Sequence, residues 1–137
     1  MLPAAGAARA SVTPGYEIEE DRAAGMLRLR LFGLWDRALV ESYRRDLLRA
    51  IDAVRHARSG AGVLIFVNLL DCPVQSQETI AVLRSVSEEI APTVARTAVL
   101  VGSMLKSMQA RRVSGSRDYM VSTQERALTE WLAADRG

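Results

Sequence analysis

The sequence predicts an α/β fold, built on a single-layer, mainly parallel sheet of about five strands with an antiparallel N-terminal edge strand and helices packed on it. Three observations carry this. First, residues 63–70 form an almost unbroken apolar run in which Val63, Ile65 and Val67 are β-branched, a length and composition suited to a strand buried on both faces. Second, two alternating segments near the start read as an antiparallel pair. Third, every later apolar run is followed by a segment with helical spacing of its hydrophobic residues, the pattern of successive β-α units with right-handed crossovers.

In chain order, Tyr16-Glu-Ile-Glu-Glu20 and Leu27-Arg-Leu-Arg-Leu-Phe32 both alternate. Leu27, Leu29 and Leu31 share one face, with Arg28 and Arg30 on the other. The intervening Asp21-Arg-Ala-Ala-Gly25 is a hairpin loop, which sets Glu17 and Glu19 opposite the two arginines. Asp36 caps a first long helix running to about Arg58, with Val40, Tyr43, Leu47, Ile51 and Val54 as its inward stripe. Ser59-Gly-Ala-Gly62 stops it and leads into the central strand.

Ser76 caps a second helix, with Glu78 in the first turn to complement the helix dipole. Its apolar stripe is Ile80, Leu83, Val86 and Ile90, and Pro92 ends it. Arg96-Thr-Ala-Val-Leu-Val101 is the next strand, and Gly102-Ser103 turns it into a helix carrying Met104, Leu105 and Met108. At helical spacing those three read as core. Ser114-Gly-Ser-Arg117 is a loop, Asp118-Tyr-Met-Val121 a last strand, and Ser122 with Glu125 a capping box for a closing helix whose inner face is Leu128, Trp131 and Leu132. Trp35 and Trp131 each seal an end of the core.

At 137 residues the chain is of single-domain length, organised as a flexible tail over 1–14 and one domain over 15–137. A net charge of only +2 is too small to make nucleic acid the main partner. The lone cysteine, Cys72, excludes an intramolecular disulfide and suits a reducing, cytoplasmic compartment. Residues 1–13 lack the basic and continuous apolar regions of a secretory signal, and no apolar run reaches the ~18 residues of a membrane span.

Over residues 16–132 the chain resembles the STAS-like (SpoIIAA-like) domains, the fold of sulphate-transporter and anti-sigma-factor-antagonist domains. The resemblance rests on the hairpin ending in Gly33-Leu-Trp-Asp36, on the run 63–71 with its following loop and helix, on the strand 98–101, and on Val121-Ser-Thr-Gln-Glu-Arg-Ala-Leu-Thr-Glu-Trp-Leu132. Anti-sigma antagonists carry an Asp-Ser-Ser/Thr-Gly signature at the start of the helix after the central strand, where a partner kinase phosphorylates the hydroxyl. The corresponding stretch is Asp71-Cys-Pro-Val-Gln-Ser-Gln-Glu78; it keeps a hydroxyl in Ser76 but lacks the Asp-Ser pair and the glycine. The chain is more similar to the uncharacterised bacterial STAS-like branch, whose fold is also similar to the lipid-carrying SEC14-type domains.

The carboxyl ends of parallel strands are where α/β proteins place ligands, so the candidate surface is Asp71, Cys72, Gln75, Ser76 and Gln77 with Gly102, Ser103 and Lys106 from the neighbouring strand end. Ser76 is the candidate phospho-acceptor. Two helix starts side by side offer backbone N–H groups to an anion, and Gly102 leaves room for close approach, or simply makes the turn. No catalytic set assembles. Cys72 wants a histidine to lower its pKa, yet the only histidine, His56, precedes the central strand. One Cys and one His give no zinc site, no phosphate-binding glycine loop or nucleophile elbow is present, and no cofactor is implied.

The expectation is therefore a non-catalytic, cytoplasmic interaction or regulatory module with a protein partner and no nucleic acid or membrane span, able to form a homodimer and phospho-switched at Ser76. The alternative is a carrier of a small anionic or lipid-like ligand held between the sheet and the third helix, which calls for an apolar cavity of at least ~300 Å³.

Overall fold

The structure, a computed structural model, describes residues 13–113 and 118–134. The expected N-terminal tail, except at its last two residues, and the loop 114–117 lie outside the described residues. Five strands form one sheet in the order of the chain: β1 (Gly15–Asp21), β2 (Met26–Phe32), β3 (Val63–Asn68), β4 (Val94–Leu100) and β5 (Tyr119–Ser122). Only β1 is antiparallel; β2 to β5 run parallel. The helices are α1 (Arg37–Ala57), α2 (Gln77–Ile90), α3 (Met104–Val113) and α4 (Glu125–Ala133), with a 3₁₀ turn at Ala91–Thr93 before β4.

The hairpin has the expected register, Glu17 opposite Arg30 and Glu19 opposite Arg28. The sharp turn out of β2 requires a glycine: Gly33 has φ +78°, and a Cβ there would sit 2.6 Å from the Pro14 Cα. Central strand β3 ends at Asn68, two residues before the apolar run does. The Asn68 side-chain oxygen accepts a hydrogen bond from the Leu70 N–H at 2.9 Å, a local turn that competes with the ladder.

Strand order fixes where the helices go. When parallel strands add in one direction through right-handed crossovers, each connecting helix falls on the same face. Hence α1, α2 and α3 share one side, over Leu27, Leu29, Leu31, Val63 and Ile65 and, beneath α3, Val99 and Val101. The inward stripe of α1 is as expected, with Val40, Tyr43, Leu47, Ile51 and Val54 buried.

Only α4 covers the opposite face, where Leu128 and Leu132 pack on Leu64, Phe66, Ala98 and Leu100. The part it leaves bare is screened by arginine. The Arg28 guanidinium lies 5.6 Å from the Phe66 ring centroid and Arg30 4.5 Å from that of Phe32, contacts in which an aliphatic stem covers apolar surface while the cation meets a ring face. The expected capping box of α4 does not form. Gln124 is the N-cap without a side-chain hydrogen bond, and Ser122, still in β5, accepts instead from the Gln124 N–H at 2.9 Å.

An aromatic cluster closes the α1 end of the core. Tyr16, Trp35 and Tyr43 stand with ring centroids 5.2–5.8 Å apart in tilted and edge-to-face pairs, the arrangement favoured by ring quadrupoles. The Tyr16 hydroxyl donates to Asp46 at 2.5 Å. Burial, and next that bond, raise its pKa.

Candidate functional site

The carboxyl edge of the parallel strands gathers the loop after β2, the loop 69–76 after β3, and the start of α3 after β4. Backbone bonds tie the first two together, with the Gly33 N–H donating to the Asp71 carbonyl at 3.3 Å. The Asp71 carboxylate is exposed but engaged, accepting from Arg30 Nη2 at 3.0 Å. Arg30 also pairs with Glu17 at 3.3 Å, and its pKa is raised, chiefly by the Asp71 hydrogen bond.

Gln75 is buried, and its amide is the staple of the whole edge. The side-chain oxygen accepts from the Trp35 N–H at 2.8 Å. The Nε2 group donates to the carbonyls of Gly33 and Pro73, both at 2.9 Å, and to Cys72 Sγ at 3.4 Å. Its backbone is held just as firmly by Gln109 of α3, whose Oε1 accepts from the Gln75 N–H at 2.8 Å and whose Nε2 donates to the Gln75 carbonyl at 3.0 Å. One amide side chain thus replaces a strand partner and clasps α3 to the loop. Polar sequence in a loop gives no hint of either role.

Cys72 is also buried. Burial pushes its thiol pKa up, against smaller opposing effects of the Gln75 hydrogen bond and the Lys106 charge, which is the reverse of what a nucleophile needs. His56 is at the end of α1, on the amino edge of β3, away from Cys72.

Ser76 is an exposed N-cap, accepting from the Thr79 N–H at 3.1 Å and donating to the Thr79 hydroxyl at 3.1 Å. Thr79 in turn donates to the Trp35 carbonyl at 3.1 Å, so the cap is bonded through to the aromatic cluster. Gln77 opens α2 and is exposed. Ser103 plays the matching part for α3, accepting from the Lys106 N–H at 3.2 Å. Gly102 has no positive φ, and a Cβ there would meet only Leu70 Cδ2 at an ordinary 3.7 Å; neither the turn nor its packing requires glycine. Lys106 reaches the Leu70 carbonyl at 3.4 Å.

The third helix is inside out. Met104, Leu105 and Met108 are 78%, 61% and 60% exposed, so the expectation that they form core is corrected. Ala110 is the only buried residue of α3, while polar Lys106 and Gln109 turn inward. The physical reason is the clasp: satisfying the Gln75 backbone requires Gln109 to face the loop, which rotates the Met/Leu stripe to solvent. Among the described residues, the other exposed large hydrophobics are Leu34, Leu70 and Val74, in the loops after β2 and β3. All six therefore lie at the carboxyl edge.

Beneath α3 is a cavity of about 120 Å³, bounded by the sheet, α1, α2 and α3. It occupies the place expected for a carrier's ligand but falls short of the expected volume. Ten residues make α3 about 15 Å long, and with alanine as its main inward side chain it leaves the space over Val67, Leu69 and Val99 unfilled.

No family model matches the sequence, and no curated protein matches it. Among solved structures, the chain is similar to an uncharacterised DUF3478-family protein with a SpoIIAA-like fold from Shewanella loihica PV-4, at TM-score 0.65 and 12% identity, over 90% of this chain and 98% of that one. It is also similar to the anti-sigma factor antagonist SpoIIAA in its unphosphorylated form, at TM-score 0.59 and 20% identity, over 89% of this chain and all of that one. Similar to both over about nine-tenths of its length, the chain has the SpoIIAA-like, or STAS-like, α/β fold.

Proposed function

We propose that this protein is a non-catalytic interaction module of STAS type that docks a protein partner on the carboxyl edge of its sheet, over Leu34, Leu70, Val74 and the outward face of α3. The observation that carries this reading is the confinement of every exposed large hydrophobic among the described residues to that one edge. Scattered apolar residues are normal on a surface, whereas a grouped set rimmed by polar side chains is the signature of an interaction site. The rim is supplied by Asp71, Ser76, Gln77, Ser103 and Lys106. A buried thiol with a raised pKa and a distant histidine support a role without catalysis.

The regulated form of the proposal is phosphorylation of Ser76, which is exposed and beside the apolar edge. A phosphate there adds about −1.5 to −2 charges to the partner surface and removes the hydroxyl donated to Thr79. Affinity capture from host lysate with wild type, M104S/L105S/M108S and Ser76→Asp tests both levels. The wild type is expected to retain a partner that the triple variant loses; equal retention by the two refutes the docking surface. Incubation with lysate and ATP is expected to place phosphate on Ser76, and its complete absence there removes the switch.

A further inference from the structure

We infer that the cavity under α3 is a binding site for a small amphiphilic monoanion, a carboxylate of about six carbons in all, a size set by comparison with the ~150 Å³ apolar cavity that holds benzene. This goes beyond docking at the rim and does not depend on it.

The walls come from two separately packed groups of residues: Leu47, Ile65 and Val86 on one side, Val99 and Ala110 on the other, with Val67 shared between them. The void lies at the seam where the α1/α2 core and the α3 core fail to meet. Most of its lining is apolar and lacks contact partners until an apolar group fills the space.

The polar groups of the lining determine the ligand's charge. Gln75 and Gln109 are consumed by each other and by the loop backbone. Among the described residues, Lys106 is the only charged one in the lining, and none of them brings a carboxylate to the cavity. Among the described residues Lys106 has no ion pair, and its ammonium makes only the 3.4 Å bond to the Leu70 carbonyl. It is also the only lysine in the chain. The other polar side chains of the lining, the Tyr43, Ser87 and Thr97 hydroxyls and the Cys72 thiol, are uncharged, so one uncommitted cation in a largely apolar wall selects a tail with a single negative end and disfavours a cationic one.

The test is a methyl NMR titration of the full chain with sodium hexanoate, with hexylammonium, a cation of the same carbon count, as the charge-reversed probe. Hexanoate is expected to shift the methyl signals of Leu47, Ile65, Val86 and Val99 saturably, and hexylammonium to bind about tenfold more weakly or less, the worth of one charge-assisted contact. Lys106→Met, at a partly exposed position where the fold is expected to persist, is expected to remove that preference while leaving the cavity in place. Ala110→Leu fills the space and is expected to abolish the shifts. Absence of saturable shifts in the folded wild type overturns the proposal. So does an equal response to hexanoate and hexylammonium, or a charge preference unchanged in Lys106→Met.

Discussion

Gln75 does more for this edge than any residue marked out by motif. Its side chain satisfies the Trp35 N–H and two carbonyls inside the protein, and truncation strands all three. Leaving even one such group buried and unpaired costs about 1–3 kcal/mol, so Gln75→Ala is expected to lower stability by about 2–3 kcal/mol in urea unfolding. Ser76→Ala, which removes only an exposed cap, is expected to cost about 1 kcal/mol. Cys72 is expected to react with a thiol reagent far more slowly in the folded protein than in urea, because burial both shields it and raises its pKa. The cap at Ser76 was legible in the sequence, since it follows from local preference. Gln75 was read as a surface contact, because its partners Gly33, Trp35 and Gln109 lie 34–42 residues away in the chain and leave no local trace.

Helices show the same division. The stripe of α1 is long enough for its period to be unambiguous, and all five expected residues are buried. In α3 the period was equally visible and the inference from it was inverted, because a ten-residue helix is oriented by its strongest tertiary bond rather than by its apolar face. M104S/L105S/M108S is therefore expected to leave the melting temperature nearly unchanged, surface changes of this kind falling within about ±0.5 kcal/mol each; a large loss would show that the stripe is core after all. Between α1 and α2, Arg44 grips Glu89 through two bonds at 2.7 and 2.6 Å. That hydrogen bonding holds the Glu89 carboxyl below its ordinary value of 4.5. With the folded value depressed, the pair's contribution is present above about pH 4.5. It is lost as pH falls through the folded value. Glu89→Gln is expected to flatten that part of the stability-against-pH curve, and an unchanged curve would exclude the pair as its source.

At the scale of the whole molecule, the mainly parallel sheet with its antiparallel edge follows from β-α alternation and was predictable, whereas the sequential strand order is not dictated by that alternation. What the alternation did not reveal is the asymmetry it creates. Three helices crowd one face, one helix half covers the other, and the strand order contains no reversal to open a crevice of the kind that usually holds ligands in open sheets. The proposed docking surface is therefore what the edge exposes, an apolar rim on an outward-facing helix, and the proposed ligand site is the void that this helix leaves beneath it. The most direct measurement of the rim's role is photo-crosslinking in the host, with a photoreactive phenylalanine at position 105 on α3 or, as control, at position 49 on α1. A discrete adduct of one added protein at position 105, absent at 49, is the expected result. No adduct at 105, or the same adduct from both positions, would contradict docking at the carboxyl edge.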